Sequence, residues 1–305
     1  MTSTIFYTWS GLADALLAMG AVRSYCKAFN TTVDVAVSEE SLMPILTNAW
    51  FVRKVIHVAA GQEIDTSSYE STVDVTDVDR AVCVEAELQL RRERKAVIDA
   101  EITKVAEKLD VAEDKIQKPP EYPKLERDTP TWNKLMGYVH SIHTQLNVDF
   151  ELDEHRPLMP SVPGIAERTR KWLNANRQDI RPGIPFILVQ GLDWLDSYGM
   201  EFIYPDCMEC IVVDDLDLSL VVGLVSHKLC AAVAGPVSGG LSYLGWAANV
   251  QLIIEFINKD VEPYWQLSRH DNAVSFKIDD ADKAIMLSRS LAAIYEKRLG
   301  VEVVL

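Results

Sequence analysis

The sequence predicts an α/β protein with parallel sheets, organised in two halves. Strand-like runs alternate with helical patterns from residue 4 to residue 74, and a second alternating block runs from residue 165 to residue 257. In each half, a turn that contains glycine joins a strand to a helix. Strands that alternate with helices are typical of βαβ units, which build parallel sheets.

The first half begins with a short strand over residues 4–8 and continues with a helix over about 12–28. Leu12, Leu16, Met19, Arg23 and Cys26 recur at helical spacing along this helix. Three further strands are predicted in the segments "TTVDVAVS", "RKVIHV" and "YESTVDVT". The order of these elements predicts a parallel sheet built from βαβ units.

A charged helical insert is predicted over about 85–128. Ten Lys or Arg residues and ten Asp or Glu residues lie between positions 91 and 128. Ile98, Ile102, Val105 and Leu109 are spaced by four, three and four, which predicts an amphipathic helix with a narrow apolar stripe. The balanced charge favours a solvated helix over a nucleic-acid-binding arm.

The domain boundary is predicted in the Pro-rich segment "HRPLMPSVPG", which has no periodicity. The first domain therefore covers residues 1–155 and the second covers 156–280. Strands are predicted in the second domain at "PFILVQ", "CIVV", "CAAVAG" and "VQLIIEF". A strongly amphipathic helix is predicted within the last segment, 281–305.

Composition narrows the class of protein. The chain has 305 residues, 48% hydrophobic, with a formal net charge of −15. It contains no apolar run long enough to span a membrane, and its amino-terminal segment lacks a signal-peptide pattern, so we expect a cytoplasmic protein without stable membrane insertion. The five scattered cysteines indicate reduced, mostly buried thiols. The negative charge disfavours non-specific nucleic-acid binding.

The segment "AAVAGPVSGGLSYLGWA" carries the strongest local signal of a binding site. Gly235, Ser238, Gly239 and Gly240 lie between a buried strand and a helix start. Glycines let the backbone adopt positive φ angles or approach a ligand closely, and a helix start attracts anions. The pattern favours a diphosphate site, although a tight strand–helix turn without a ligand would also explain it.

Asp14 is a candidate catalytic residue in the segment "IFYTWSGLADALLAMGAV". It lies in the first turn of the first predicted helix, after the first strand, so it is expected at the carboxyl edge of a sheet. A carboxylate in a cleft can accept the proton of an attacking hydroxyl. In the same position it also stabilises a helix amino terminus, and the residues alone leave these two roles open.

Other clusters give weaker signals. Cys207 and Cys210 in "CMEC" have the spacing of metal ligands, but no second pair is present, so no metal site is predicted. His140 and His143 are read as ordinary helix-surface residues. The "DDLDL" segment is read as the cap of the helix that follows it. Trp194 lies in the loop after "PFILVQ", where an aromatic side chain suits a sugar or a base.

Several segments together resemble the heptosyltransferase-like glycosyltransferases of family 9. The likeness lies in "GLADALLAMGAVRSYCKAFNTTVDVAVSEESLMPILTNAWFVRKVIHV", in "TPTWNKLMGYVHSIHTQLNVDFELDEHRPLMP" and most clearly in "DDLDLSLVVGLVSHKLCAAVAGPVSGGLSYLGWAANVQLIIEF". It extends over about two thirds of the chain. The order and spacing of the segments are more specific than any single motif.

The resemblance implies a GT-B architecture, in which two Rossmann-like domains face each other across a cleft and the last helix crosses back to the first domain. It also implies an inverting, metal-independent glycosyltransferase with a nucleotide sugar as co-substrate and no other cofactor. Asp14 matches the catalytic base, and Ser10 and Gly11 lie on the acceptor side. The predicted donor-binding residues are Gln190, Gly191, Trp194, Ser238, Gly239, Gly240, Leu241 and Ser242.

The chain departs from the family pattern at four points. Ala13 replaces the glycine before the base. Val237 or Ser238 replaces the aspartate of the glycine-rich turn, and Ser242 or Tyr243 replaces its histidine. The basic residue usual after the first strand of the second domain is missing from "QGLDWLDSYG". A diphosphate would then depend on backbone N–H groups, hydroxyls and the helix dipole.

The function expected from the sequence is transfer of a sugar from a nucleotide-sugar donor to an acceptor hydroxyl, with Asp14 as general base. The acceptor is a glycan, a lipid-linked glycan or a modified nucleobase. One alternative is a phage-type DNA glycosyltransferase that acts on hydroxymethylated bases. Another is a non-catalytic GT-B protein that binds a sugar nucleotide or acts as a scaffold. The sequence does not define the oligomeric state.

Overall fold

A computed structural model describes most of the chain. The described residues are 4–8, 11–59, 62–74, 80–118, 142–148, 157–176, 183–191, 209–237, 239–257, 273–277, 289–290, 292–294 and 296–297.

The first half contains a parallel sheet of four strands. These are β1 (Thr4–Thr8), β2 (Val33–Val37), β3 (Val52–His57) and β4 (Ser71–Asp74). Their order in the sheet is β3-β2-β1-β4, and all neighbouring pairs are parallel. Helix α1 (Leu12–Ala28) joins β1 to β2, and the short helix α2 (Met43–Leu46) lies between β2 and β3.

Helix α3 (Arg80–Leu109) follows the first sheet in the chain. In the second half, helix α4 (Ile165–Asn176) precedes the strands of the second sheet. The second sheet has the order β6-β5-β7-β8-β9 and is also parallel throughout. Its strands are β5 (Phe186–Val189), β6 (Glu209–Val212), β7 (Cys230–Pro236), β8 (Leu252–Ile257) and β9 (Ala273–Lys277). Helix α5 (Leu218–Val225) joins β6 to β7, and helix α6 (Gly240–Ala247) joins β7 to β8.

The predicted α/β class with parallel sheets is confirmed, with two differences in detail. The charged helix begins at Arg80, which is earlier than the predicted start of the insert near residue 85. Strand β9 was not predicted, because it is a five-residue edge strand whose pairing with β8 is a tertiary effect. The domain limits at 155 and 280 remain predictions, as does the closing helix, of which only short pieces lie within the described residues.

Helix α1 is buried on most of its surface, although the sequence suggested a single apolar face. Ten of its residues are buried, from Ala15 to Cys26. A helix that is apolar nearly all round belongs inside a protein. Consistent with this, α1 contacts α6 of the second half, α2 contacts α5, and the buried residues of both halves form one continuous apolar cluster.

Within the described residues, no helix combines the length and the hydropathy needed to cross a membrane. The described cysteines Cys26, Cys210 and Cys230 form no disulfide. Cys26 and Cys230 are buried, as expected, and burial raises the pKa of the Cys26 thiol to about 12 and that of Cys210 to about 11.

Helices α4 and α5 approach each other closely at Gly223. A Cβ atom at this position would contact Thr169 Oγ1 and would lie 2.6 Å from Ile165 Cγ1, both on α4. Thr169 is buried and its hydroxyl makes no hydrogen bond. The packing of the two helices therefore depends on the missing side chain at Gly223.

We expect Gly223→Ala to lower the free energy of unfolding by about 1–3 kcal/mol, because the added methyl group overpacks this contact. Chemical unfolding of the variant and the native chain measures the loss. Adding Thr169→Ala to Gly223→Ala should recover part of it, whereas Thr169→Ala alone removes a hydroxyl that has no hydrogen-bond partner. Native stability in Gly223→Ala would contradict this packing.

An ion pair between the buried Asp34 and the exposed Arg53 connects β2 to β3 in the first half. Asp34 accepts hydrogen bonds from Arg53 Nε (2.8 Å), from the Arg53 guanidinium NH2 (3.0 Å) and from the Tyr69 hydroxyl (2.6 Å). Burial raises the pKa of Asp34. The hydrogen bonds from Arg53 and Tyr69, with the charges of Arg53 and Lys54, outweigh burial, so the net pKa is lowered.

The lowered pKa of Asp34 determines whether acid stabilises or destabilises the fold through this residue. A carboxyl of this kind stabilises the fold fully above its unfolded pKa, near 4, and its contribution is lost as the pH falls through the folded pKa. We expect Asp34→Asn to cost roughly 1.5–3 kcal/mol at neutral pH, and the cost should shrink below about pH 4. Urea unfolding across this range tests it, with Asp114→Asn, an exposed residue, as the control. A cost that stays constant in acid would be inconsistent with the pair.

Candidate functional site

The first part of the candidate site is the start of α1. Gly11 precedes the helix with extended backbone (φ −62°, ψ −179°), and the Ala15 N–H donates to the Gly11 carbonyl oxygen at 3.0 Å. Asp14 is the third residue of the helix and is half-buried. In the sheet, β1 has β2 on one side and β4 on the other, so α1 begins where the strand order changes direction. Open α/β sheets bind ligands at such points.

A second carboxylate flanks the start of α1. Glu39 follows β2, and its Oε1 lies 3.6 Å from the position that a Cβ atom would take on Gly11. Sequence reasoning missed Glu39 because only the sheet brings the end of β2 beside the end of β1.

The second part of the candidate site is the start of α6. The Gly239 N–H donates to Pro236 O (2.9 Å), and the Ser242 N–H donates to Gly239 O (3.1 Å). The Leu241 N–H donates to Oε1 of Gln190, which follows β5, at 3.3 Å. Because β7 and β6 lie on opposite sides of β5, this turn also lies at the switch point of its sheet. The structure thus brings Gln190 to the turn, and its role in donor binding stays a prediction.

Glycine is required at position 239 because other atoms of the chain approach it closely. Its backbone is not left-handed. Its φ of −69° is open to any residue. A Cβ atom, however, would lie 2.8 Å from Pro236 O and 3.2 Å from Gln190 Oε1. A positive φ, which the glycine-rich turn allowed, is therefore not found at Gly239. The close contacts there are with the chain itself, and close approach of a ligand stays a prediction.

Ser242 has an unusual environment for a hydroxyl. Its side chain is in the first turn of α6 and the residue is only 1% exposed. Its Oγ makes no hydrogen bond. An unsatisfied buried hydroxyl is costly. Because the Oγ atom itself is buried, a phosphate oxygen would reach it only after the surrounding side chains move.

Gly191 also lies at this edge, one residue beyond Gln190. Its φ is +77°, which favours glycine, and its N–H lies 2.9 Å from both carboxylate oxygens of Asp214. Asp214 follows β6 and is exposed. The "DDLDL" segment therefore has two roles: Asp214 binds Gly191, and Asp217 caps α5 as predicted, since its Oδ1 accepts from the Leu220 N–H at 3.2 Å.

The two helix starts touch each other. A Cβ atom on Gly240 would lie 2.7 Å from Leu12 Cδ2, so the Leu12 side chain packs directly on the Gly240 backbone. Leu12 is two residues before Asp14 in the first turn of α1. The start of α1, which carries Asp14, therefore lies against the glycine turn of the second half. Asp14 follows Leu12 by two residues, about 200° around the helix, so its side chain is not on the face that contacts Gly240.

Two further buried residues were not expected from the sequence. Glu255 on β8 is fully buried and lies in register with Gly235 on the neighbouring strand β7. A single acidic residue inside the apolar strand "VQLIIEF" was the signal that could have identified it. His143 was read as a surface residue, but it is 1% exposed, so that interpretation is wrong.

The remaining predicted residues divide by position. Ser10, Trp194 and Ser238 lie outside the described residues, as do His140 and Cys207. Gly11, Gly239, Gly240, Leu241 and Ser242 lie at the two helix starts described above, and Gln190 and Gly191 follow β5 at the same edge of the second sheet.

A separate concavity of about 460 Å³ lies between the end of α3 and the turn that follows it. Its lining includes three carboxylates, from Glu107, Asp110 and Glu113, and no basic side chain. This composition disfavours a diphosphate.

No family model and no curated protein matches the sequence. Solved structures do match. The E. coli heptosyltransferase WaaC with ADP has a TM-score of 0.50 and 11% identity, over 95% of this chain and 100% of that chain. The chain shares the fold of this heptosyltransferase. The family 9 glycosyltransferase from Veillonella parvula has a TM-score of 0.49 and 12% identity, over 95% of this chain and 89% of that one. The E. coli ADP-heptose lps heptosyltransferase II has a TM-score of 0.49 and 11% identity, over 97% of this chain and 99% of that one.

Proposed function

We propose that the chain is an inverting glycosyltransferase that moves a sugar from a nucleotide-sugar donor to an acceptor hydroxyl. The observation that carries this proposal is the contact between Leu12 and Gly240. It joins a helix start with a carboxylate, Asp14, to a glycine-rich helix start suited to an anion. A base and a diphosphate site side by side are what sugar transfer requires. The GT-B arrangement, with two domains facing across a cleft, is part of the proposal.

The donor diphosphate would bind at the start of α6. Helix amino termini attract anions through their N–H groups and dipole, and α6 begins at the switch point of its sheet. The Ser242 hydroxyl, buried and without a hydrogen-bond partner, would donate to a phosphate oxygen. Shared fold with a heptosyltransferase whose structure holds ADP supports a nucleoside diphosphate as the ligand.

The groups at the two helix starts would account for the proton and the electron pair in this reaction. The Asp14 carboxylate would accept the proton of the acceptor hydroxyl as its oxygen attacks the anomeric carbon of the sugar. The bond from that carbon to the diphosphate breaks, and the diphosphate leaves with the electron pair. The helix N–H groups and the Ser242 hydroxyl would stabilise the negative charge that develops on it. Attack opposite the leaving group inverts the anomeric configuration.

In this proposal the reaction needs neither a metal ion nor a cofactor, because the start of α6 takes over the stabilisation of the leaving group. Activity should then survive a chelator. We also propose the cytoplasm as the location, since the described cysteines form no disulfide and reduced thiols are typical of that compartment.

The acceptor is proposed to be a glycan or a lipid-linked glycan in preference to a modified nucleobase. A DNA acceptor would require a basic surface, and the basic residues that the sequence offers for it are Arg91, Arg92, Arg94 and Lys95 together with Arg168, Arg170 and Lys171 on α4. Arg168 pairs with Asp217, and both Arg170 and Lys171 pair with Glu167. These acidic partners reduce the attraction of α4 for phosphates, and the net charge of −15 acts in the same direction.

One observation favours the non-catalytic alternative. Gln190 Oε1 already accepts a hydrogen bond from the Leu241 N–H, which would otherwise face the diphosphate. The Gln190 amide would have to rotate, or the phosphate would have to use the remaining groups of the turn. A protein that binds sugar nucleotides without transferring them would also retain this arrangement.

A thermal-shift screen against a panel of nucleotide sugars tests the proposal, since a ligand that binds only the folded state raises the melting temperature. The donor that stabilises the protein most is then incubated with it, and release of the nucleoside diphosphate is followed. We expect stabilisation and turnover. Stabilisation without turnover over a wide range of acceptors supports a non-catalytic protein that binds a sugar nucleotide. No stabilisation by any donor overturns the proposed transfer and supports the scaffold.

A further inference from the structure

Helix α3 has an apolar stripe that the proposed reaction does not use. Ile98, Ile102, Val105 and Leu109 form this α3 stripe, spaced by four, three and four residues. This is the spacing of the a and d positions in a coiled coil. The stripe lies in the carboxyl-terminal half of a thirty-residue helix.

The stripe is incompletely covered by the chain itself. Val105 is 44% exposed and Leu109 is 60% exposed, whereas Ile98 and Ile102 are half-buried. Among the side chains described for α3, none belongs to the continuous apolar cluster that fills the two halves. Large aliphatic side chains exposed in a row on one helix indicate a surface that another helix covers.

The distribution of charge along and just after α3 indicates which partner covers the α3 stripe. Residues 91–95 contain four basic residues and one acidic residue, and residues 107–114 contain four acidic residues and one basic residue. Residues 91–95 lie on α3 before the α3 stripe. Residues 107–114 include Leu109, the last residue of the stripe and of α3, and continue into the turn that follows the helix. Two copies of α3 that pair in opposite directions would bring each basic segment against an acidic one. A parallel pair would bring like charges together at both ends.

We propose that α3 pairs antiparallel with α3 of a second copy of this chain. A pairing centred between Glu101 and Ile102 places Ile98 opposite Val105 of the second copy and the basic segment 91–95 opposite residues 108–112, within the acidic segment 107–114. The seam from Ile98 to Leu109 is about 18 Å long. Such a seam buries less than a standard interface, so we expect a dissociation constant of the order of micromolar.

Sedimentation of the full chain over a range of concentrations tests the pairing. Val105→Glu and Leu109→Glu each place a charge in the seam and should weaken association by tenfold or more, roughly 1.4 kcal/mol. Val97→Glu is the matched control, because Val97 is 61% exposed but lies about 140° around the helix from Ile102. It should associate like the native chain. Circular dichroism confirms that each variant is folded.

The orientation has its own test. Raising the salt concentration about tenfold should weaken an antiparallel pair, because it screens the attraction between the opposite segments. Association that strengthens with salt would overturn the antiparallel arrangement. A native chain that stays monomeric at about 100 μM, well above the expected dissociation constant, would overturn the pairing, as would Val105→Glu and Leu109→Glu chains that associate like the native one.

Discussion

Replacement of Asp14 by Asn is expected to reduce the turnover of sugar transfer by about 10²- to 10⁴-fold, the usual contribution of a general base. Asn has nearly the same shape as Asp but cannot accept the proton of the acceptor hydroxyl. Affinity for the donor should stay within about twofold, because Asp14 is on α1 and the proposed diphosphate site is the start of α6. Kinetics with saturating donor, together with calorimetric donor binding, separate the two effects.

Glu39→Gln is the matched control for this experiment. Glu39 is also a carboxylate at the carboxyl edge of the first sheet, beside Gly11. Its neutralisation should leave the turnover within a few-fold of native. A large loss of turnover in Glu39→Gln, together with near-native turnover in Asp14→Asn, would identify Glu39 as the general base and refute the assignment of Asp14.

Gly239→Ala is expected to have the second largest effect, on both stability and donor affinity. The added Cβ would lie 2.8 Å from the backbone oxygen of Pro236 and would press on the Gln190 amide that caps α6. Backbone atoms cannot move aside as a flexible side chain can. We expect a loss of about 1–3 kcal/mol in unfolding free energy and a donor affinity lower by about tenfold, since the turn that holds the diphosphate is distorted.

Gly240→Ala distinguishes distortion of the turn from a general intolerance of this segment. Its Cβ would meet the Leu12 side chain, whose Cδ2 would lie at 2.7 Å. The double variant Leu12→Ala and Gly240→Ala removes this contact and should bind donor better than Gly240→Ala alone. Donor affinity in Gly239→Ala equal to that of the native chain would contradict a diphosphate site at this turn.

The strand–turn–helix units are the part of the fold that sequence reasoning predicts well. The runs around β1 and α1, and around β7 and α6, combine β-branched or aliphatic residues with a glycine turn and a helical repeat, so local signals agree. Strand β9 was missed because "AVSFK" is short and nothing in the neighbouring sequence marks it as a strand. Its hydrogen bonds are made with β8. The burial of His143 and Glu255 likewise depends on tertiary packing, which periodicity does not contain.

The same distinction applies to the candidate site. Asp14, Gly239 and Gly240 were identified because each unit that carries them is continuous in the chain. The capping of α6 by Gln190 joins residues 51 positions apart, and the Leu12–Gly240 contact joins the two halves. Neither follows from local pattern. Asp214 was part of a recognised acidic segment, but its bond to Gly191 depends on β5 and β6 being neighbours.

A crystal structure of the protein with the nucleoside diphosphate of its best-stabilising donor tests the central claim most directly. We predict diphosphate oxygens within hydrogen-bond distance of the Gly240 N–H and the Ser242 Oγ at the start of α6, with the sugar-side phosphate facing Asp14. A diphosphate bound away from the start of α6, with Ser242 still lacking a partner, would contradict the account.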